Sequence, residues 1–148
     1  MNLLLVDDEI FTLEALKLQI LDLPLSFSSI HTCCDVADAI EYLQDHSVSI
    51  LICDIEMPGG SGFDLLQWMK ETKRSITSIL LTCHADFQYA TEGIRYHVFD
   101  YLLKPVSSAQ LQTTLENAIN FTLERQPLQK KKSDLSASYS ESEDLSSV

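Results

Sequence analysis

The chain of 148 residues is 45% hydrophobic and carries a formal net charge of −12 at pH 7. This length and apolar content suffice to bury one core, which favours a single domain over two. Residues 1–125 hold 18 acidic residues against 7 Lys and Arg, so the acidity belongs to the body of the chain. Such a surface repels phosphate backbones and anionic lipids, and we expect this chain by itself to bind neither nucleic acid nor membrane.

The cysteines and the apolar runs predict the cellular compartment in which the protein works. Cys33, Cys34, Cys53 and Cys83 show no CxxC spacing, and two of them lie in strongly apolar runs. We therefore expect reduced cysteines, with neither a disulfide framework nor a zinc site. No basic leader opens the sequence, and no apolar run approaches the ~18 residues that a membrane helix needs. These features predict a soluble cytoplasmic protein.

Short apolar segments alternate with helical patterns along residues 1–125. The predicted strands are residues 2–7, 27–33, 49–54, 78–83 and 99–103. A helix is predicted after each strand, from apolar residues three and four positions apart. These residues are Leu13, Leu16 and Ile20, then Val36, Ala39, Ile40 and Leu43, then Phe63, Leu66 and Met69, then Phe87, Ala90 and Ile94, and finally Leu111, Leu115, Ala118 and Ile119. The pattern predicts a flavodoxin-like, doubly wound α/β fold, a (βα)5 unit with a five-stranded parallel sheet and helices on both faces.

The last 23 residues have a different composition. Pro127 interrupts the helical pattern, three lysines follow, and the rest is rich in serine and acid with few apolar residues. Such a segment cannot bury enough surface to offset its ordering entropy. We therefore divide the chain into one domain, residues 1–125, and a disordered tail or the start of a linker, residues 126–148.

Polar or charged residues stand where four of the predicted strands end. Asp7 and Asp8 fall at the carboxyl end of the first strand and Asp54 at the end of the third, while Thr82 ends the fourth and Lys104 follows the fifth. The carboxyl ends of parallel strands converge on one crevice, so these side chains should meet. Converging carboxylates suit a hard divalent cation such as Mg²⁺, whereas an ammonium and a hydroxyl suit the oxygens of a phosphoryl group.

Four segments resemble, in order and separation, the signature blocks of the receiver domain of two-component response regulators. They are "LLLVDDE" from residue 3, "LICDIEMPGGSG" from residue 51, "LLT" ending at Thr82, and "DYLLKP" ending at Pro105. The resemblance covers residues 1 to about 125. Residues 84–106 are further similar to receivers that precede AraC-type DNA-binding domains. Contact with nucleic acid would then need an output domain, which these 148 residues do not include.

The resemblance implies a phosphorylation-controlled signalling switch. Asp54 would accept a phosphoryl group from a phosphohistidine of a sensor histidine kinase. Asp7, Asp8, Asp54 and the backbone carbonyl of Glu56 would hold Mg²⁺, and Lys104 would pair with the phosphoryl group. The domain would catalyse its own phosphorylation and slow hydrolysis without turning over a diffusible product, so it is not expected to be an enzyme in the usual sense.

The resemblance also implies a conformational readout. Thr82 and Tyr101 would form the switch pair, and the face made by the fourth helix, fifth strand and fifth helix would support a homodimer. Residues on that face that could contribute are Arg95, Asp100, Glu116 and Glu124. Many receivers have a cis peptide bond between the residues that correspond to Lys104 and Pro105, and we expect one here.

Three positions depart from the family pattern or vary within it. The residue after Thr82 is usually Ala or Gly, and here it is the larger Cys83. Glu56 and His84 occupy the two variable positions that flank the acceptor and influence the lifetime of the aspartyl phosphate.

Simpler interpretations and rival classes stand beside these expectations. Asp7 or Asp8 alone could be a helix N-cap, Thr82 a plain strand residue, and Lys104 a solvated surface lysine. A phosphatase of the haloacid-dehalogenase type is one rival, but that family has a second aspartate where this chain has Glu56. A flavodoxin-type binding module is the other, but "DDEIF" after the first strand would repel a nucleotide phosphate.

Removal of residues 127–148 should leave the domain folded, because the composition of this tail predicts that it packs on nothing. We expect thermal unfolding of the truncated chain to show a loss of less than about 1 kcal/mol. A larger loss would mean that the tail docks on the domain.

Overall fold

The computed structural model describes residues 1–58, 60–83, 91 and 93–125. Its strands are β1 (Asn2–Val6), β2 (Ser29–Cys33), β3 (Ile50–Asp54), β4 (Thr77–Thr82) and β5 (Asp100–Leu103). Its helices are α1 (Ile10–Leu21), α2 (Val36–Asp45), α3 (Gly62–Glu71) and a C-terminal helix (Ser108–Glu124). Every predicted strand is found within two residues of its expected bounds. Phe87 and Ala90 of the predicted fourth helix lie outside the described residues, as does the tail 126–148.

The five strands form one parallel sheet in the order β2-β1-β3-β4-β5. In this register Val6 lies opposite both Cys33 and Cys53, and Asp54 lies opposite Leu81. The strand β2 therefore lies on one side of β1, and β3, β4 and β5 follow on its other side. This is the doubly wound arrangement that the sequence predicted. The change of direction falls between β1 and β3, and a crevice is expected at the carboxyl ends of these strands.

Apolar side chains cover both faces of the central strands. Leu4, Leu51 and Leu80 pack on the side of α2 and α3, whereas Leu3, Leu5, Ile52 and Ile79 pack on the side of α1 and the C-terminal helix. All residues of β3 and β4 are buried for this reason, which explains why their sequences show no alternation of apolar and polar residues. The strands β2 and β5 are the edges of the sheet and expose part of each face.

Side-chain caps fix the start of most helices. Asp35 caps α2, Ser107 caps the C-terminal helix, and Ser61 forms a capping box with Asp64 at α3. Helix α1 differs because its N-cap is Glu9, whose side chain makes no capping hydrogen bond. Neither Asp7 nor Asp8 is therefore the N-cap, and this simpler interpretation of the two acids is wrong.

None of the helices in the described part of the chain combines the length and apolar composition that crossing a bilayer requires.

Candidate functional site

Three carboxylates meet at the carboxyl edge of the sheet. Asp7 and Asp8 leave the end of β1, and Asp54 is the last residue of the neighbouring β3. One oxygen from each lies within 4.8 Å of the others. Asp7 and Asp54 are buried, with relative exposures of 0% and 4%, whereas Asp8 is exposed. The predicted convergence of these acids is therefore observed.

Lys104 brings one positive charge into this cluster. Its Nζ lies 2.8 Å from Asp7 Oδ2 and 3.3 Å from Asp54 Oδ2. Two backbone features aim it there: its N–H donates to the Thr82 carbonyl at 2.8 Å, and the peptide bond to Pro105 is cis, as expected. Lys104 is thus not a solvated surface lysine, because it forms ion pairs with two buried carboxylates.

Backbone groups hold the acids in place. The Glu9 N–H donates to Asp7 Oδ1 at 3.0 Å, and the Glu56 N–H lies 3.4 Å from Asp54 Oδ1. Apart from the Lys104 ammonium, Asp7 Oδ2 receives no hydrogen bond from the described residues. A buried carboxylate oxygen with a single partner has capacity for a further positive ligand.

Gly62 sets the approach of α3 to the acceptor strand. A Cβ on Gly62 would lie 2.6 Å from the Asp54 backbone oxygen, which is closer than any real contact. The Gly62 N–H also donates to the Ile55 carbonyl at 2.9 Å. Only glycine therefore lets α3 begin this close behind Asp54. The sequence identified Gly62 as backbone punctuation opening this helix, but it did not reveal this contact.

Burial and mutual repulsion weaken the acidity of the cluster. Burial and the Asp7 charge raise the pKa of Asp54 to about 6, and Lys104 opposes this only in part. Burial also raises the pKa of Asp8, with a further contribution from the Asp7 charge. Burial lowers the pKa of Lys104, but hydrogen bonds and charges from Asp7 and Asp54 raise it by more. The site is therefore short of positive charge.

The donor set matches a hard divalent cation. Mg²⁺ prefers carboxylate oxygens, takes one or two of them together with waters, and would lower the repulsion between Asp7 and Asp54. Three carboxylates within reach of one another and one buried oxygen with spare capacity meet this preference.

Thr82 and Tyr101 lie on the neighbouring strands β4 and β5. Thr82 ends β4 and is buried, one position beyond the residue opposite Asp54. Tyr101 lies in β5, half-buried against the cluster on the α2 and α3 side. A Cβ on Gly93 would lie 2.6 Å from the Tyr101 ring carbon Cζ, so the phenol rests directly on this glycine. Gly93 was missed because nothing in its local sequence signals a contact with a distant strand.

A family model for the response regulator receiver domain matches residues 3–116. The chain belongs to the response regulator receiver domain family. Receiver domains are phosphorylation-controlled signalling domains, and the match favours neither the phosphatase nor the flavodoxin-type module.

Curated relatives and solved structures agree with this assignment. The receiver is 37% identical over 125 residues to the transcriptional regulatory protein HptR of Staphylococcus aureus, and 36% identical over 124 residues to an uncharacterized response regulatory protein of Staphylococcus epidermidis. In both cases the match covers 84% of this chain and 49% of the relative. The chain thus spans about half the length of the curated relatives that it matches.

Among solved structures, the receiver is similar to the signal receiver domain of an HD domain-containing protein from Pseudomonas fluorescens Pf-5. The TM-score is 0.76 at 26% identity, over 84% of this chain and 98% of that one. A CheY-like receiver domain protein from Methanospirillum hungatei has the same TM-score at 16% identity, over 84% and 98% of the two chains, and supports the fold alone.

In the metal-free protein, Asp54 should titrate near pH 6, which carboxyl-carbon NMR can measure. Asp7→Asn should lower this pKa by removing a like charge, and Lys104→Met should raise it by removing the opposite charge. The folded state holds the Asp54 proton more tightly than the unfolded state does. The contribution of Asp54 to the stability of the metal-free protein should therefore be lost as the pH rises from the ordinary aspartate pKa of 3.8 through about 6. An Asp54 pKa below the ordinary aspartate value of 3.8 would contradict this account.

Proposed function

We propose that Asp54 accepts a phosphoryl group from a phosphohistidine of a sensor histidine kinase in a reaction that depends on Mg²⁺. One observation carries the proposal: a carboxylate with 4% exposure ends a central strand with the Lys104 ammonium 3.3 Å away and two further acids beside it. Asp7 is also buried beside Lys104, but Asp54 is the acid that stands at the acceptor position of the receiver family's pattern, in "LICDIEMPGGSG".

The chemistry is an in-line displacement at phosphorus. An Asp54 carboxylate oxygen forms the new O–P bond while the P–N bond of the phosphohistidine breaks, and the electron pair goes to the imidazole nitrogen. The carboxylate must be ionised to attack, and with a pKa of about 6 it is mostly ionised at pH 7. Lys104 lies where its charge can stabilise the phosphoryl oxygens as negative charge spreads over them.

Asp7, Asp8 and Asp54 would hold the metal ion with their side chains, and Glu56 would hold it with its backbone carbonyl. When bound, Mg²⁺ supplies positive charge to the transferring oxygens and offsets the repulsion among the carboxylates. The domain would also hydrolyse its aspartyl phosphate slowly, by attack of water at phosphorus. Unlike a phosphatase, it would not turn over small phosphate esters.

The whole protein would be a cytoplasmic transcription regulator. Support comes from HptR, which is named a transcriptional regulatory protein. The match with this chain covers 49% of the length of HptR. An output domain in the other half would bind DNA, and the similarity of residues 84–106 suggests the AraC type. Phosphorylation of the receiver would then control the output domain.

Acetyl phosphate with Mg²⁺ should add one phosphate to the chain, visible by intact-mass spectrometry. Asp54→Asn should abolish the adduct, because an amide is not a nucleophile of comparable strength. Asp8→Asn should weaken Mg²⁺ binding roughly 10-fold or more by removing one carboxylate ligand. Asp45→Asn, an exposed acid at the end of α2, is the matched control and should change neither. The same adduct on the Asp54→Asn protein would refute the assignment.

The conformational change that follows phosphorylation would pass from Thr82 to Tyr101. A phosphoryl oxygen on Asp54 would draw the Thr82 hydroxyl toward it and free space beside the helix that contains Gly93. The Tyr101 ring already rests against Gly93, so this packing would tighten in the active state. A side chain with an apolar ring and one polar end suits two alternative positions.

The surface beside this switch would mediate a homodimer. Ile94 is 77% exposed and Leu103 on the edge strand β5 is 45% exposed. Asp100, Glu116 and Glu124 are exposed as well, and Arg95 supplies a complementary charge. Apolar centres with charged rims suit a symmetric interface in which one patch serves both partners.

Beryllofluoride with Mg²⁺, a phosphate mimic, should shift the chain from monomer toward dimer in sedimentation experiments. The size of this shift is limited by how much more tightly the mimic binds the active state than the inactive state. Thr82→Ala and Tyr101→Ala should reduce the shift. Gly93→Ala should reduce it too, because the added methyl group occupies the place of the phenol. An unchanged distribution, with binding of the mimic confirmed, would refute the dimer and leave a monomeric switch.

A further inference from the structure

A cavity of about 390 Å³ lies at the other end of the sheet from Asp54. It is bounded by the end of α3, the beginning of β4, Tyr96 and His97, and the end of the C-terminal helix. Ser78 of β4 lines it, and Thr82 at the acidic site is four residues further along the strand. At the rise of a β-strand these two positions are about 13 Å apart. The cavity is therefore separate from the phosphorylation site.

The charged residues that line this cavity are all basic: Lys70, Lys73, Arg74 and Arg125. They are four of the seven Lys and Arg in residues 1–125, in a chain with a net charge of −12. No described acid lines the cavity, and none of these four residues forms an ion pair with another described residue. Four like charges gathered without a carboxylate repel one another, although acids are abundant elsewhere on this surface.

The two arginines are held in position. Arg74 donates from Nη1 to the Leu43 carbonyl at 2.6 Å and from Nε to Thr72 Oγ1, and its guanidinium lies 4.7 Å from the Trp68 ring centroid. Arg125 donates from Nη2 to Ser75 Oγ. Their positive charge is therefore fixed in place before any ligand arrives, which reduces the entropy lost on binding.

Lys70, Lys73 and Arg125 are exposed, whereas Arg74 is partly buried. Lys70 lies over the Tyr96 ring at 5.9 Å, and Lys73 forms no ion pair with another described residue. Lys73 and His97 both have a φ of 57°, a left-handed conformation that usually belongs to glycine. Two non-glycine residues with this backbone therefore line the same cavity.

Helix electrostatics account for only part of this cluster. Lys70 in the last turn of α3 complements the negative end of that helix dipole. Arg125 is the C-cap of the C-terminal helix and complements the dipole of that helix in the same way, whereas Arg74 comes from the loop before β4. The helix dipoles help to gather these charges, and their convergence on one cavity without an acid suits an anionic ligand.

We propose that this cavity binds a small anion with two or more linked phosphates, such as inorganic pyrophosphate or a nucleoside diphosphate. One phosphate group carries about −2 at neutral pH and would balance only half of the four positive charges. The volume lies within the usual range for small-molecule sites. Arg125, held by Ser75 at the cavity, would orient the phosphates, and the exposed lysines would close over them.

Calorimetry with pyrophosphate, in EDTA at low ionic strength, tests the site without a metal at the acidic edge. The expected result is binding that weakens at least ~10-fold in Lys70→Gln/Lys73→Gly, because both ammonium groups are lost while glycine keeps the left-handed backbone. Amide NMR shifts should concentrate on residues 70–78 and 96–97. A nucleoside diphosphate that binds more tightly than pyrophosphate would identify a nucleotide, whereas equal affinity would identify the inorganic anion.

Lys17→Gln on α1 is the matched control, since it removes one positive charge that does not line the cavity. Binding should survive this change. Four outcomes would overturn the proposal: no binding by the unaltered chain, equal affinity for orthophosphate, equal weakening by Lys17→Gln, or NMR shifts centred on Asp54. None of these measurements depends on phosphorylation, so they leave the proposed signalling function untouched.

Discussion

The fold places Asp7 and Asp54 beside each other at the ends of adjacent central strands, and their repulsion is the constraint on which the site depends. Burial alone would push Asp54 toward protonation. Lys104 offsets this effect because its ammonium group lies within ion-pair distance of both carboxylates, while its backbone N–H is held by the Thr82 carbonyl. One ammonium does not balance the site fully, as the raised pKa of Asp54 indicates. The remaining deficit of positive charge suits the site to bind a cation.

The α/β architecture also favours opposite charges at the two ends of the strands. Each helix follows a parallel strand, so helix N-termini point toward the carboxyl edge of the sheet and C-termini toward the amino edge. The helix dipoles therefore favour negative charge near Asp54 and positive charge near Lys70 and Arg125. The acidic cluster and the basic cavity follow this polarity, which explains how one small domain keeps two sites of opposite sign.

Two glycines allow close packing beside Asp54 and Tyr101. Gly62 lets α3 begin directly behind the acceptor strand, and Gly93 makes room for the Tyr101 phenol. At both positions the reason for glycine is space rather than backbone conformation, because an added methyl group would meet a neighbouring atom. Small movements of Thr82 or Tyr101 therefore press on packed neighbours instead of being absorbed in loose structure.

The sequence by itself determined the order of strands and helices, the parallel sheet and the acids at strand ends, because hydrophobic periodicity and residue spacing are local properties. The tertiary structure alone decided that Asp7 and Asp8 are not helix caps, that Lys104 reaches two carboxylates, and that Gly93 supports Tyr101. It alone brought Arg125 to Lys70 and Lys73. Such contacts join residues far apart in the chain, and their distances depend on how helices pack across the sheet, which local patterns do not encode.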